Sequence, residues 1–449
     1  MRISLNVEPS RSTTNFANVL LVPEGLRASK IDFDYSILQP IRSASSSIAL
    51  DFLFIAFVIY SIDKMVMRKS SSDKWTRSLQ VNIPVSDANR WSQAANELTK
   101  CLNFLTGDYW EIGFYDFNMN EIFPDDRQQN QVQVNTHAVS LFSGGLDSLI
   151  GAIDWLETNP NRRLALVGHH DPNIAGPLSS QNELIDLLEP VYPGRIKPIL
   201  LRVGQTPSGP ETTFRSRSLL FLALGVYVAN TISTDCPLII PENGTISLNV
   251  PLTPSRRGSC STRTTHPRFL NSVQNVLTYV GLANPIVNPL QLKTKGECVE
   301  SCHNQELLRQ TAIHSVSCAK TGHRRTWLRR ARGCGRCMPC IYRRAALHKI
   351  GLDVEPYGRD FCQGEVDILG DRQLADDLRA CFSFLIQDTS REDLIKNLLI
   401  NGNSDVQHLG DYADLVIRAR NEIRTLINNK GNNDIKRQSG LLAREIDDR

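Results

Sequence analysis

The most constraining feature of this chain is an alternation of apolar runs and helix-like segments between residues 136 and about 290. The apolar runs at residues 138–142, 163–168, 196–203 and 236–240 have the length of buried strands. Strands that alternate with helices favour parallel pairing, because a parallel neighbour is reached only through a crossover. We therefore predict an α/β fold with a doubly wound parallel sheet, in which ligands bind at the carboxyl ends of the strands.

The first apolar run leads into a glycine turn and then into a helix. Backbone N–H groups at a helix start lack partners and favour an anion, and glycine lets the backbone approach a phosphate closely. Asp147 can hold Mg²⁺ or cap the helix, and no Gly-Lys-Ser/Thr follows, which excludes a Walker A loop. We predict a phosphate site whose side chains face a ligand crevice, built from Ser143, Gly144, Gly145, Leu146, Asp147 and Ser148.

Histidines and an acidic segment follow two of the other predicted strands. His169, His170 and Asp171 come after the second strand, and residues 242–244 come after the fourth. The carboxyl ends of parallel strands share one edge of the sheet, so we expect both groups to border the same crevice as the glycine turn.

A second chemical signal is the cysteine pattern in the segment that follows. Cys334, Cys337 and Cys340 form two overlapping C-x-x-C turns, and Cys318 can supply a fourth thiolate. Zinc prefers four soft ligands in a tetrahedron, and four protein ligands fill its shell, so such a zinc ion would be structural. An iron–sulfur cluster and a redox dithiol remain open as alternatives.

Other possible ligands lie nearby. Cys298 and Cys302 are alternative ligands or neighbours on one helix face, at a spacing of four residues. His303 and His314 are not expected to be ligands.

The segment from residue 320 to residue 336 is strongly basic. It contains no acidic residue, and Trp327 lies inside it. Basic side chains around a stackable ring can hold nucleic acid, ATP phosphates or an acidic protein surface, and a solvated basic flap is the plain alternative. The basic residues are Lys320, Arg324, Arg325, Arg329, Arg330, Arg332 and Arg336.

Together, the glycine turn and the cysteine pattern resemble the 7-cyano-7-deazaguanine synthase (QueC) family, with its pyrophosphate-binding PP-loop. Arg217 leads an apolar helix as in that family, and residues 294–297 resemble its Thr-Lys-x-Glu helix start. The resemblance covers about residues 138–347. Departures at residues 242–249 and 261–268, with the added N-terminal region and the long basic loop, resemble the QueC-like (QatC) group of the Qat antiphage defence system.

This resemblance implies a PP-loop sheet of the adenine nucleotide alpha hydrolase-like (HUP) type, with ATP, Mg²⁺ and Zn²⁺ as cofactors. It implies an ATP-dependent C–N ligase or synthase that forms AMP and pyrophosphate and acts on a carboxylated 7-deazaguanine or a related acceptor, including a polypeptide. Ser143, Asp147, Arg217 and Lys295 are the catalytic candidates, and other proteins of the defence system are the implied partners. A PP-loop tRNA-modifying enzyme and a non-catalytic nucleotide-sensing subunit remain alternatives.

The chain divides into four predicted parts. Residues 1–135 read as a separate N-terminal α/β unit with a scaffold or partner-binding role, so we expect the core to bind ATP without it. Residues 136–355 form the ATP-binding core, which includes the zinc segment at 318–340. Residues 356–427 form a helical segment, and 428–449 a disordered tail.

Location is predicted from what the sequence lacks. The N-terminus shows no charged start followed by an apolar core, so we expect no secretory signal. The most apolar stretch, residues 52–60, is too short to span a bilayer and predicts a buried helix. The net charge of +3 does not by itself indicate nucleic acid. We expect a cytoplasmic protein with no membrane partner.

Overall fold

The fold was analysed in a computed structural model. It describes residues 1–8, 18–124, 135–174, 176–211, 213, 215–253, 263–320, 330–370, 374–403 and 405–443. Ten strands lie in these residues: β1 (Arg2–Glu8), β2 (Asn18–Pro23), β3 (Ser29–Phe33), β4 (Ser78–Val85), β5 (Tyr109–Asp116), β6 (Ala138–Leu141), β7 (Leu164–His170), β8 (Ile196–Thr206), β9 (Leu238–Ile239) and β10 (Ile286–Val287).

Fourteen α-helices accompany the strands in the described residues. They are α1 (Ser47–Met65), α2 (Ala88–Thr106), α3 (Leu146–Thr158), α4 (Pro177–Leu188), α5 (Arg217–Ile232), α6 (Gly244–Leu248), α7 (Pro267–Tyr279), α8 (Lys295–Glu300), α9 (Gln305–Thr311), α10 (Met338–Lys349), α11 (Asp376–Ile386), α12 (Arg391–Ile400), α13 (Leu409–Lys430) and α14 (Asn433–Gln438).

All ten strands join one mostly parallel sheet, in the order β10-β9-β6-β7-β8-β3-β2-β1-β4-β5. Only the β8–β3, β3–β2 and β2–β1 pairs are antiparallel. The predicted α/β class is therefore confirmed. Within the parallel half, β6, β7 and β8 succeed one another in one direction, whereas β9 and β10 lie on the other side of β6. The strand order thus reverses between β6 and β9, which is where open α/β sheets form a ligand crevice.

Both faces of this half of the sheet are covered by helices. Val139 and Val167 face a core cluster that includes α1 and α5, whereas Leu164 and Leu166 face a second cluster that includes α3 and α4. Because successive strand residues point to opposite faces, this alternation shows that both faces are buried.

The N-terminal region is not structurally separate from the core, contrary to expectation. Strand β3 pairs with β8 from Lys30 to Phe33. Asp32 forms a bidentate ion pair with Arg202 of β8. Helix α1 packs against α5, and both contribute to one core cluster. The boundary at residue 135 stays a prediction, but the two regions share a sheet and a core.

The predicted buried helix is α1. Every residue from Ile48 to Met65 is buried. Its acidic side chains are paired: Asp51 accepts hydrogen bonds from Ser86 and Trp91, and Asp63 pairs with Arg77. In the part of the chain that the structure describes, no helix is long and apolar enough to cross a membrane.

The C-terminal region is helical, as predicted, but its expected disordered tail is wrong for residues 428–443. Helix α13 continues to Lys430, and α14 follows with Ile435 buried in a core cluster. Ile435 is the buried apolar residue of an otherwise polar helix, so the polar composition of this segment wrongly predicted disorder. Residues 444–449 lie outside the described residues.

Candidate functional site

The glycine turn connects β6 to α3 in a tight loop held by its own serines. Gly144 has a φ of +81°, a conformation that favours glycine. The Ser143 hydroxyl accepts a hydrogen bond from the Gly145 N–H at 3.3 Å, and the Ser148 hydroxyl donates to the Gly145 carbonyl at 2.9 Å. A Cβ atom on Gly144 would come within 3.3 Å of the Gln181 backbone nitrogen in α4, so the turn packs closely against the next helix.

This loop forms one wall of a cavity of about 470 Å³ at the point where the strand order reverses. The size is within the usual range for small-molecule sites, about 300–1,000 Å³. Its apolar lining residues are Phe221, Leu222, Ile240, Pro241 and Ile246. Its polar lining residues include Ser143, Gly145, Asp147, Ser148, Ser180, Arg217, Glu242 and Lys295.

Three helices begin at this cavity without a side-chain cap. The N-cap residues of α3, α4 and α5 are Gly145, Gly176 and Ser216, and none of their side chains accepts a hydrogen bond from its helix. Helices α10, α11 and α13 also begin without side-chain caps, whereas α1, α2, α7 and α12 begin with them. The positive ends of three helix dipoles favour negative charge, so the cavity suits an anion.

Two basic side chains add to this positive field. The Arg217 guanidinium lies over the Phe221 ring at 5.2 Å and donates a hydrogen bond to His169 Nδ1 at 3.4 Å. Lys295 begins α8, where Thr294 and Glu297 form the capping box that the Thr-Lys-x-Glu pattern implies. Both predicted basic residues therefore line the cavity.

Lys295 makes its closest contact with Asp147. Its ammonium lies 2.6 Å from the Asp147 carboxylate, and both side chains are at least nine-tenths buried. Asn243 donates a second hydrogen bond to the same oxygen at 2.8 Å. Asp147 is thus a buried, paired group as well as a wall of the crevice, and removing either partner would leave an uncompensated charge.

Glu242 completes this cluster and lines the cavity, as expected for residues 242–244 from their place after the fourth predicted strand. Burial and the adjacent Asp147 charge raise the pKa of Glu242 well above its ordinary value. Burial also acts to raise the pKa of Asp147, but the Lys295 charge and hydrogen bonds from Glu242, Lys295 and Asn243 hold that pKa below its ordinary value. Asp147 Oδ1 is buried and accepts no hydrogen bond from the described nitrogen and hydroxyl donors. Two close carboxyl groups share a proton or a cation, so this pair can also hold a divalent cation.

The His-His-Asp group lies behind the cavity wall instead of in the crevice. His169 is completely buried, and burial followed by the Arg217 charge lowers its pKa well below the ordinary value. Asp171 pairs with Lys64 of α1 and accepts a hydrogen bond from Tyr60 at 3.1 Å. The expectation that these residues border the crevice is therefore wrong: α1 covers His169 and Asp171, and the partly exposed His170 does not line the cavity either.

The four predicted cysteines form a compact cluster. The Sγ atoms of Cys318, Cys334, Cys337 and Cys340 all lie within 4.8 Å of one another, and the Cys318–Cys337 and Cys334–Cys340 pairs are both 3.9 Å apart. A tetrahedral ion with metal–sulfur distances of about 2.3 Å separates its ligands by about 3.8 Å. The cluster can therefore bind one metal ion such as zinc. Its size favours a single ion over an iron–sulfur cluster, which spreads its thiolates around several metal atoms.

The local backbone supports this interpretation. The N–H groups of Lys320 and Cys334 donate to Cys318 Sγ, and the Cys337 N–H donates to Cys334 Sγ at 3.3 Å. Such bonds orient thiolate ligands. Gly335 has a φ of +77°, and a Cβ atom there would approach the Arg359 carbonyl oxygen to 2.2 Å.

The other nearby candidates have different partners. Cys298 and Cys302 are buried in the second core cluster. His303 donates its backbone N–H to Asp154, and the His314 ring contacts Glu183 at 2.6 Å.

The cysteine cluster and the glycine turn are in direct contact. The Val316 N–H donates to the Gly144 carbonyl at 2.9 Å, and the Leu146 N–H donates to the Ser317 hydroxyl at 3.4 Å. Cys318 itself borders the cavity. A metal ion at the cysteines would therefore fix the segment at Val316 and Ser317, which lies against the glycine turn.

Part of the basic segment is already paired within the protein. Arg332 pairs with Glu183 through both carboxylate oxygens, and this contact lowers the pKa of Glu183 to about 2. Lys320 lies 3.6 Å from Asp377, and Arg336 donates to the Leu374 carbonyl. These three side chains therefore have partners within the protein. Arg324, Arg325, Trp327 and Arg329 lie outside the described residues.

No protein-family model, curated protein or solved structure matches this chain. The resemblance to the QueC family therefore stays a prediction, and the function has to be argued from the geometry of the cavity.

Proposed function

We propose that this protein is a QueC-like PP-loop enzyme of the HUP type that uses ATP to join a carboxylate to a nitrogen nucleophile. The observation that carries the proposal is the convergence of three uncapped helix starts, with Lys295 and Arg217, on one cavity where the strand order reverses. A cavity that combines this positive field with apolar lining residues suits a molecule with phosphates and a flat base.

The glycine turn is the proposed phosphate site. Ser143 and Ser148 would contribute hydroxyl donors, and Gly144, Gly145 and Leu146 the close backbone. Arg217, at the start of α5, would counter the charge that develops on the phosphates. Apolar contacts from Phe221 and Ile246 would hold the base.

A Mg²⁺ ion fits the carboxylates of this cavity. Asp147 would hold it through the Oδ1 atom that accepts no hydrogen bond from the described nitrogen and hydroxyl donors, and the adjacent Glu242 would be the second ligand. The ion would offset phosphate charge during pyrophosphate departure. Lys295 would balance the Asp147 charge when the site is without a ligand.

The proposed reaction begins when a carboxylate oxygen of the acceptor attacks the α-phosphorus of ATP. The bond to the bridging oxygen breaks, pyrophosphate leaves, and an acyl-adenylate remains. A nitrogen nucleophile then attacks the acyl carbon and displaces AMP, which forms an amide. In the QueC family a second activation dehydrates the amide to a nitrile. The acceptor would be a carboxylated 7-deazaguanine or a related small molecule or polypeptide, and the setting a Qat-type antiviral defence system.

The metal-binding cysteines would have a separate, structural role. Four protein thiolates around one ion leave no open position for substrate, so Zn²⁺ at Cys318, Cys334, Cys337 and Cys340 would stabilise the fold without taking part in the chemistry.

The deciding assay incubates the purified protein with α-labelled ATP, Mg²⁺, ammonium and a carboxylated 7-deazaguanine, and measures AMP and pyrophosphate. We expect equimolar AMP and pyrophosphate that depend on the acceptor, and loss of both in Arg217→Gln. Arg195→Gln is the matched control, because Arg195 bonds to backbone carbonyls outside the cavity. ADP and phosphate as products would refute the proposal. Tight ATP binding without turnover for every acceptor would instead support the sensing subunit, and iron with transfer of sulfur to tRNA would support the tRNA-modifying enzyme.

A further inference from the structure

Helix α1 belongs to the N-terminal region, yet two of its side chains reach the strand ends behind the cavity. Lys64 forms an ion pair with Asp171, and the Tyr60 hydroxyl donates to the same carboxylate oxygen at 3.1 Å. Lys64 and Asp171 have side-chain exposures of 8% and 0%, so this is a buried contact between regions more than a hundred residues apart.

Asp171 also shapes the turn that leads to α4. Its other carboxylate oxygen accepts the Asn173 N–H at 2.9 Å, and its carbonyl accepts the Ile174 N–H at 2.9 Å. Ile174 and Gly176 then line the cavity. Fixing the Asp171 carboxylate from α1 therefore fixes one wall of the cavity.

A second route runs through aromatic rings. Tyr60 packs edge-on against His169 at 5.5 Å, and His169 packs edge-on against Phe221 at 5.3 Å. Phe221 lies beneath the Arg217 guanidinium, which also donates to His169. The ring of Tyr60 thus supports His169, which in turn contacts both Phe221 and Arg217, the arginine of α5 that lines the cavity.

We propose that Tyr60 and Lys64 are positioning residues of the nucleotide site, and that the N-terminal region is an integral part of that site. This inference rests on the proposed function, because it assigns Arg217 and the turn at residues 171–174 to the binding of ATP. It replaces the expectation that the core would bind ATP without residues 1–135.

The test compares three variants of the whole chain. Tyr60→Leu removes the ring and the hydroxyl, Tyr60→Phe keeps the ring, and Ser61→Ala is the control at an equally buried neighbour whose hydroxyl has no described hydrogen-bond partner. We measure the Kd for ATP by calorimetry, and the rate at which phenylglyoxal modifies Arg217 by peptide mass spectrometry.

The Kd for ATP and the rate of Arg217 modification should both change most in Tyr60→Leu and least in Ser61→Ala. We expect Tyr60→Leu to raise the Kd and to speed Arg217 modification by about three- to tenfold, because the guanidinium loses its support. Tyr60→Phe should restore most of the modification rate, and Ser61→Ala should match the wild type in both measurements. A folded Tyr60→Leu protein with wild-type values in both would overturn the proposal.

Two further measurements decide the outcome if Tyr60→Leu does not fold or if the wild type does not bind ATP. If Tyr60→Leu fails to fold, Lys64→Met tests the route through Asp171, and an unchanged Kd in that variant would count against positioning. If the wild type binds no ATP, the proposed function fails, and the modification rates alone decide whether Tyr60 positions Arg217.

Discussion

The cysteine cluster and the glycine-turn cavity are in contact, but they are built in opposite ways. Three of the four cysteines lie within seven residues, and all four sulfurs lie within 4.8 Å of one another, close enough for one metal ion. The cavity is assembled from the ends of several strands and helices, and its three helix starts have no side-chain caps. The cysteine site supplies all of its own ligands. The cavity instead has a positive field and, among the described residues, a buried carboxylate oxygen, Asp147 Oδ1, that accepts no hydrogen bond from nitrogen or hydroxyl donors.

This difference separates stability from function. A site closed by its own ligands contributes folding free energy and needs nothing from outside. In a site with preorganised positive dipoles, the electrostatic field stabilises a bound anion. Changes at the cysteines should therefore alter stability first, and changes in the cavity should alter ligand binding first.

The largest effect should come from Cys337→Ser. Structural zinc in small domains contributes about 10–16 kcal/mol of apparent binding free energy, so losing one ligand should lower solubility and thermal stability before it alters ATP binding. Cys381→Ser is the control, because Cys381 is equally buried in α11 but outside the cluster. Metal content by elemental analysis and the thermal midpoint are the measurements. A wild-type protein without zinc, or with iron, would contradict the account.

The next largest effect should come from Asp147. Asp147→Ala leaves Lys295 buried without its partner, which should cost about 3–5 kcal/mol of stability. The double variant Asp147→Leu with Lys295→Met should recover most of this stability but not ATP affinity, which should remain about a hundredfold weaker. Asp154→Ala, farther along α3, is the control. Denaturant unfolding and calorimetry separate the two effects, and wild-type ATP affinity in the double variant would refute the role of the pair.

Low pH should lower the free energy of unfolding, because a buried histidine near the cavity resists protonation in the folded protein. Burial, and then the charges of Arg263 and Arg268, lower the pKa of His266 to about 3. In the unfolded chain this histidine is protonated below about pH 6.5, whereas in the folded protein it stays neutral down to about pH 3. The free energy of unfolding therefore has its full value above about pH 6.5 and falls between there and pH 3, by up to about 1.4 kcal/mol per pH unit. His266→Asn, which can still cap α7, should flatten the curve of unfolding free energy against pH. His303→Asn, about half exposed, should leave it unchanged.

The smallest effect should come from the contact between the two sites. Ser317→Ala removes the hydroxyl that accepts the Leu146 N–H at 3.4 Å. A hydrogen bond of this kind contributes about 0.5–1 kcal/mol, so ATP should bind about two- to fivefold more weakly while zinc content stays the same. Ser301→Ala on the surface serves as the control. Zinc loss in Ser317→Ala would show that the contact supports the metal site instead.

The sequence predicted the parts of this molecule that depend on short spacings. The C-x-x-C turns, the strand–turn–helix at residues 138–148 and the capping box at Thr294 are all local patterns, and all have the expected geometry. The α/β class followed from the alternation of strands and helices.

Contacts between distant segments could not be predicted in the same way. The pairing of β3 with β8 is carried by backbone hydrogen bonds, which leave no mark in the residue pattern. The burial of His169 depends on Tyr60, more than a hundred residues earlier. The place of residues 242–244 at the crevice was predicted, because they directly follow a buried strand of the parallel sheet, but their contacts with Asp147 were not.

The most direct test of the central claim is equilibrium binding of Mg²⁺–ATP to the whole chain, measured by calorimetry with wild type and the Asp147→Leu, Lys295→Met double variant. The account predicts that one ATP binds to each wild-type chain and that the double variant, still folded and still containing zinc, binds about a hundredfold more weakly. No binding to the wild type, or equal binding to both proteins, would show that the cavity at the strand reversal is not a nucleotide site.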